Sequence, residues 1–600
     1  MKLRHLVVCL LFIVFASLPL FGETWYIRPD GGTRFSSKVP SGQCDGKADA
    51  PYPGHGVNRH CAFNDFRYMW DDQSYSDDAW VMKGGDTVII RGCAANPNQI
   101  SPSAPDCRIG WDSNKGKGAG GTWCFGGDAN QCPNPTIPAG TTTQPTRILG
   151  QNYANCSTNN TTNRSALTQL FGGFGVGEVL NLSGARNVQV ECLEITEHNE
   201  AVPGTHGNCI THGSPAYPAG CNTGSPLSDF DSNGIVTNNV TSNVLLQDVY
   251  IHGHTNSGIQ GPIGGLITMN RVFVGFNGFA GWNFDDGKST PDAPNSSIDA
   301  NYVTMEGNGC NEQYPIVNST FPAESCYDLD SGGFGDSWSG QNTTLSSFIC
   351  DHCQQIYNTK DGFIGPHTQI ARLVVENSES IGNMGQQWKW GATPHSTTVF
   401  RNNFTVGNCR RMAEQLPGAS PGYNRHLSLF CRAAGDIFSF YSAADSTVLF
   451  ANDTTIGYSA TVIDLNCSSK NACGSTRYIF RNNIVLGFLN PKYDPSNQEP
   501  PALFYFSDSS DSATADHNIY FNLRSRNCPL WGRPDLICSD PLFVNEPPLT
   551  MKGEAELDRF SFHLRSGSPA IGRGVPVNGV AIDYFGAKRR NPPSIGAAGR

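Results

Sequence analysis

Beyond residue 21 the 600-residue chain has no apolar run of membrane-spanning length; a helix needs about 20 consecutive apolar residues to cross a bilayer. No membrane-spanning helix is therefore expected in the mature chain. Long segments with apolar residues at helical spacing are equally scarce, which argues against a sheet wrapped by crossover helices. Asn-Gly signals between adjacent strand-like runs are too few for an antiparallel sandwich, the runner-up architecture. Charge is sparse, at 16% of residues, and its balance is negative, −11 at pH 7. A chain of that sign is not expected to bind nucleic acid. It would also repel an acidic polymer unless cations or a local basic patch intervened.

What is present begins with a basic start, Met1-Lys-Leu-Arg-His5, an apolar run from Leu6 to Phe21 and the small residue Gly22. That is the layout of a secretory signal peptide over residues 1–22. Its removal takes the formal charge from −11 to −13 and the cysteines from 21 to 20. An even count in an exported chain points to disulfides rather than metal sites. Cysteines close in sequence read as loop staples: Cys44/Cys61, Cys93/Cys107, Cys124/Cys132, Cys209/Cys221, Cys310/Cys326, Cys409/Cys431, Cys467/Cys473 and Cys528/Cys538. Cys350-Asp-His-Cys353 reads as a structural pair, not a redox motif. The mature protein is expected to be secreted or periplasmic, soluble and monomeric.

Residues 23–175 are rich in Gly, Pro and Cys and read as a loop-rich N-terminal cap with first coils, containing one clear strand at Asp86–Arg91. From 176 to 530 short β-branched runs recur between Asn, Gly, Ser and Asp, as in Asn243-Val-Leu-Leu-Gln-Asp-Val-Tyr-Ile251 and Arg372-Leu-Val-Val-Glu376. Each has strand length and period-two alternation. One short unit repeating at roughly 20–50 residues is the mark of a solenoid. The best internal match is Phe400-Arg-Asn-Asn-Phe404 with Phe480-Arg-Asn-Asn-Ile484, in which asparagines can stack from coil to coil and satisfy turn backbone groups. The expected fold is all-β, a right-handed parallel β-helix with long disulfide-stapled loops. Residues 531–600 read as a last coil and capping tail.

The opening, Trp25-Tyr-Ile-Arg-Pro-Asp-Gly-Gly32 with Gly85-Asp-Thr-Val-Ile-Ile-Arg-Gly92, and the closing segments Phe562–Ile571, Asp583–Arg589 and Ile595–Ala597 resemble those of secreted β-helix proteins of the pectate-lyase-like superfamily. The resemblance spans nearly the whole mature chain. It speaks to fold more than chemistry, because function lives in the site.

Four segments stand out as a candidate site: Asn283-Phe-Asp-Asp-Gly287, Gly335-Asp-Ser-Trp-Ser-Gly340, Asn358-Thr-Lys-Asp-Gly-Phe363 and Gln386-Gln-Trp-Lys-Trp-Gly391. Asp286 and Asp336 are 50 residues apart, Asp336 and Asp361 are 25 apart, and Asp361 and Lys389 are 28 apart. With a coil of about 25 residues, Asp336 and Asp361 stand on neighbouring rungs about 4.8 Å apart, where carboxylates can share calcium. These residues resemble the site of the family 9 polysaccharide lyases, which pair an Asn-x-Asp-Asp-Gly-aromatic-Asp calcium segment with a Lys-x-Gly segment a coil later. The resemblance implies that Asp336 and Asp361 bind Ca²⁺ and that Lys389 is the base. Lys360 and Ile364 stand where that family has aspartates, so Lys360 can supply positive charge in place of part of the calcium cage.

The chemistry so implied is β-elimination on a uronic-acid glycan. A cation at the carboxylate stabilises the charge that develops when the C5 proton leaves. A neutral Lys389, its pKa lowered by nearby positive charge, takes that proton. Arg410 and Arg411 are expected at the catalytic centre, and Arg401 with Lys360 at the substrate, a guanidinium fork being suited to carboxylates. The partner is an acidic polysaccharide. Alternation further predicts that Trp388 and Trp390 face opposite to Lys389.

Two other readings stay open. A non-catalytic glycan-binding or adhesin-type β-helix needs only exposed aromatics along a groove, for example Trp388 and Trp390. A glycoside hydrolase on the same fold would use paired carboxylates such as Asp285-Asp286 or Tyr327-Asp-Leu-Asp330, but the Asn-Thr-Asp, Gly-His-Gly and Arg-Ile-Lys set of the polygalacturonases is absent. His252-Gly-His254, with His198, His206 and His212, shows no repeated ligand spacing and reads as turn or surface histidine.

Overall fold

Strands form where one side chain in two is apolar. In Thr447–Ala451, Val448 and Phe450 are buried while Thr447 and Leu449 are less so. The computed structural model describes residues 22–599 except 73, 75–78, 92–134, 157–166, 172–176, 197–230, 285–295, 310–334, 341–343, 364–367, 384, 408–436, 458–460, 468–473, 488–501, 507–510, 525–536 and 546–561. Among the described residues the strands make one sheet of 25 strands and another of five. Parallel pairing starts at the N-terminal strand, Thr24↔Thr87, and passes on through Thr87↔Arg147 and Thr146↔Val188. The smaller sheet contains Glu178–Asn181, Asn233–Val236, Ile259–Gln260, Trp282–Asn283 and Trp338–Ser339. The helical content of the described residues is one 3₁₀ turn, Phe66–Met69. No helix among them is long and apolar enough to cross a membrane. The signal segment lies outside the described residues.

Through the middle of the chain the partners are 25 residues apart, as in Phe348↔Leu373, Val374↔Val399 and Glu379↔Phe404. Identical facing positions therefore stack rung on rung. A core cluster runs through these rungs from Trp25 to Leu523. Its middle is aromatic: Trp338 packs on Phe348, Phe363 on Trp388, and Phe400 lies stacked on Phe450, which in turn stacks on Phe480.

Disulfides join Cys44 to Cys61 and Cys350 to Cys353, as the sequence suggests. A third, Cys156–Cys192, spans 36 residues and is missed by pairing near neighbours. Cys538 is also disulfide-bonded. The other proposed pairs fall wholly or partly outside the described residues.

The C-terminal segment lies along an outer face of the large sheet. Phe562, Leu564, Ala570, Ile595 and Ala597 pack on Phe404, Val406, Ile456 and Ile484. Arg589 pins it: the guanidinium donates to Asn402 Oδ1 at 2.6 Å and to the carbonyls of Gly596 and Ala597 at 2.9 Å. Burial pulls this arginine down to about 10.

Buried polar side chains close each rung. Asn383 Oδ1 accepts from the backbone N–H of Asn358, 25 residues earlier, and Asn358 Oδ1 accepts from that of Asn308. A second ladder runs Ser378, Asn403, Asp453, Asn483, Asn518, each accepting the N–H of the rung before at 2.8–2.9 Å. The side-chain amides of Asn403, Asn483 and Asn518 also donate to the carbonyls of Val375, Phe450 and Phe480. The Arg-Asn-Asn match thus has two jobs. Asn402 and Asn482 hold the left-handed corner, at φ of 65° and 57°, which asparagine tolerates, and the second asparagine enters the ladder.

Asp453 breaks the amide series. Its Oδ2 is buried without a hydrogen-bond partner, in the position from which the asparagines donate. Burial pushes this carboxyl up to about 8. A carboxyl raised in the folded state contributes stability that is complete below its unfolded value and is lost as pH rises through about 8. Asp453→Asn should restore a donor and remove that loss, raising stability at pH 9 by about 1–3 kcal/mol. Denaturant unfolding at pH 5 and pH 9 checks this: the wild type should weaken between them more than the variant.

Candidate functional site

The 25-residue repeat sets Trp338, Phe363 and Trp388 at one inward position, and all three are buried. Two residues before each stands a polar residue: Asp336, Asp361 and Gln386. Asp336 Oδ1 accepts the backbone N–H of Asp361 at 2.9 Å, and Asp361 Oδ1 accepts that of Gln386 at 2.8 Å. Both carboxylates are thus turn-closing groups, only 3% and 1% exposed. Gly385 is needed beside them, because a Cβ there would collide with Asp361 Oδ1.

Alternation turns Lys389 to the opposite side of its strand from Trp388 and Trp390, which are 0% and 1% exposed. The expectation that these rings could form an exposed glycan-stacking surface is therefore corrected: they are core. Lys389 Nζ donates to Asp361 Oδ2 at 3.0 Å, with 15% of the lysine side chain exposed. Burial alone would lower the lysine pKa. Its attraction and hydrogen bond to Asp361, joined by Asp336, outweigh that and raise it. That direction runs against the expected neutral amine, since the Asp361 and Asp336 carboxylates favour the ammonium form. Asp336 is pushed up to about 6, first by burial and then by the Asp361 charge, while Lys360 and Lys389 favour its ionised form.

The remaining predicted residues divide. Lys360 is half-buried and close enough to act on Asp336. Arg401 lies at the far end of the strand Trp388–Arg401 and pairs with Glu376, so it does not join Lys389. Arg410, Arg411 and Asp286 lie outside the described residues, as do Asp285 and the Tyr327–Asp330 segment.

Calcium does not fit the described oxygens. Asp361 has given one oxygen to a backbone N–H and the other to an ammonium, and Asp336 has given one to a backbone N–H. Calcium takes six to eight oxygen ligands. Among the described residues no group of three His, Cys, Asp or Glu side chains could hold a metal ion.

Register adds residues that spacing alone does not find. Lys389 pairs with Ser439, which pairs with Asp464, and Gly391 pairs with Tyr441. The Tyr441 hydroxyl is near enough to influence Lys389. Residues 408–436 intervene, so the interval doubles to 50 and hides the relation. The available signal is that Phe438-Ser-Phe-Tyr441 repeats the alternation of Trp388-Lys-Trp-Gly391. Upstream, Asn283 donates to Gln260 across one rung at 3.2 Å. The outer side of these rungs is therefore polar and its inner side aromatic.

His252 and His254 are not at the surface, and His198, His206 and His212 lie outside the described residues. His252 lies 2.8 Å from Glu194 and His254 lies 2.6 Å from Asp231, with both rings buried. His254 heads the asparagine column, its backbone N–H donating to Asn277.

No family model matches the chain, and no curated protein matches it. Solved structures similar to it include a rhamnogalacturonan lyase, at 11% identity, with 90% of this chain and 97% of that one covered and a TM-score of 0.35. A lacto-N-biosidase from Eubacterium ramulus has 10% identity, coverage of 83% and 67%, and a TM-score of 0.33. An alginate lyase from Paenibacillus sp. strain FPU-7 has 11% identity, coverage of 76% and 92%, and a TM-score of 0.26. At these TM-scores the neighbours bear on neither chemistry nor substrate.

The two aspartates should respond differently to amidation. Asp336→Asn keeps an oxygen for the Asp361 N–H and removes a buried charge, so stability above pH 6 should hold or rise. Asp361→Asn strips the partner from a largely buried ammonium and should cost about 3–5 kcal/mol. Urea unfolding of both variants at pH 7.5 distinguishes them; equal losses would contradict the assigned geometry.

Proposed function

We propose that this protein is a secreted right-handed parallel β-helix that cleaves a uronic-acid glycan by β-elimination at Lys389. The observation that carries the reading is the Lys389–Asp361 pair, partly open on the polar side of stacked parallel rungs. The disulfides are compatible with export. The 25-residue register and parallel pairing support the solenoid.

β-Elimination needs positive charge at the uronate carboxylate and a group to take the C5 proton. The Lys389 ammonium meets the first need without a metal. Asp361 orients it and keeps it charged. Its own proton is held, so Lys389 is not the group that receives the C5 proton in this state. We assign that role to Tyr441, which shares a face with Ser439, the strand partner of Lys389, and lies near enough to influence the ammonium; it acts as the phenolate. The C5–H bond breaks as its proton passes to the Tyr441 phenolate oxygen, and the electron pair left on C5 forms the C4–C5 double bond. The C4–O4 bond breaks as O4 takes that proton from Tyr441 and departs with its sugar, leaving an unsaturated uronate and regenerating the phenolate.

Incubation with polygalacturonate, alginate and other acidic polysaccharides, followed through the absorbance of unsaturated uronate, tests the proposal. Product should form equally with and without a chelator. Lys389→Ala should lower the rate at least about 100-fold, the scale of a lost electrostatic contact in the transition state, and Tyr441→Phe should lower it by about 10²–10⁴ if it moves the proton. Full activity in Lys389→Ala contradicts the mechanism. Hydrolysis products without unsaturation would favour the glycosidase alternative.

A further inference from the structure

One residue position recurs on ten successive rungs in the left-handed backbone region: Cys192, Asp248, Arg271, Tyr302, His352, Asn377, Asn402, Asn452, Asn482 and His517, all with φ between 50° and 65°. Register aligns them, since each directly follows a paired residue, as in Gln247↔Asn270, Asn270↔Asn301, Asn301↔Asp351 and Asp351↔Glu376. Four consecutive rungs, from Asn377 to Asn482, use asparagine, which suits this conformation. A bulky residue there is an outlier costing about 1–2 kcal/mol. Such strain persists where the surroundings enforce it and often marks a functional position.

Tyr302 is the sharpest case. It carries that strain yet remains 45% exposed, unlike the ring residues of the core. Its ring lies on His352, with centroids 4.5 Å apart and planes 22° apart. Asp351 anchors the support: its Oδ1 is 2.8 Å from His352 Nδ1 and accepts from Asn377 Nδ2 at 2.8 Å. On the other side, the preceding rung carries Arg271, whose guanidinium makes two bonds of 2.7 Å to Asp248 one rung further back. The result is a flat, braced aromatic surface with charged groups at both ends, on a corner distinct from the Lys389 face.

We propose that Tyr302 is a carbohydrate-binding platform on which a pyranose ring stacks, holding the polymer apart from the cleavage site. A rigid ring offers apolar contact at low entropic cost, and Asp351 and Arg271 offer partners for hydroxyl groups. The proposal rests on the glycan reading above, and its test separates the two.

The full-length wild type and Tyr302→Asn are compared by native electrophoresis in gels containing polygalacturonate or alginate, by thermal unfolding and by sedimentation velocity. Asparagine suits the corner, so the variant's melting temperature should hold or rise. Its apparent affinity for the polymer should fall at least tenfold. Cleavage of short oligosaccharides by the Lys389 site should be unchanged. Unchanged retardation of the variant overturns the platform while leaving the glycan reading intact. A lower melting temperature with unchanged retardation also overturns it, by making the ring structural. A wild-type dimer that the variant dissociates assigns the ring to a contact between copies instead and likewise overturns it. A wild type neither retarded by nor active on any polymer tested overturns both readings.

Discussion

A buried side-chain oxygen that accepts a backbone N–H from a neighbouring rung is the interaction on which this structure depends. Wherever the chain leaves a strand, its backbone groups lose their sheet partners, and a buried N–H left unpaired costs about 1–3 kcal/mol. Asn358, Asn383, Asn403, Asn483 and Asn518 remove that cost at one position after another. Because each bond joins neighbouring rungs, it fixes register as well as satisfying a donor. Strand pairing alone tolerates slippage; a ladder of buried amides does not.

The candidate site follows from the same device. Asp336 and Asp361 close their turns with one carboxylate oxygen each, which buries them and ties them to consecutive rungs. Closing a turn leaves Asp361 Oδ2 available, and Lys389 takes it. A carboxylate recruited for folding thereby creates a site for a cation. Burial first, and then repulsion by the Asp361 charge, push Asp336 upward, while the two carboxylates favour the ammonium form of Lys389. Structure and chemistry share Asp361, which closes a turn with one carboxylate oxygen and holds Lys389 with the other.

The rung length was legible because 335–407 is free of long insertions, and Asp336, Asp361 and Gln386 keep strict 25-residue spacing. The inward packing of Trp388 and Trp390 was legible from alternation alone. The charge state of Lys389 was not. Sequence gives its neighbours along the chain, while its pKa depends on a carboxylate 28 residues away and on burial. Tyr441 was hidden by the stretch between adjacent rungs, and Arg401 looked close in sequence although the long strand carries it away to Glu376. Tyr302 gave no signal at all: a tyrosine in a β-branched run reads as a strand residue, and only the backbone angle reveals the corner.

The central claim is that the folded rungs hold Lys389 as an ion-paired ammonium rather than as a free base. Heteronuclear NMR of the lysine side chains, titrated from pH 6 to 12 with Lys389 assigned by substitution, measures this directly. Lys389 should titrate above the ordinary lysine value of about 10.4 and move downward in Asp361→Asn. Titration of Lys389 below that value in the wild type, unaffected by Asp361→Asn, would contradict the account.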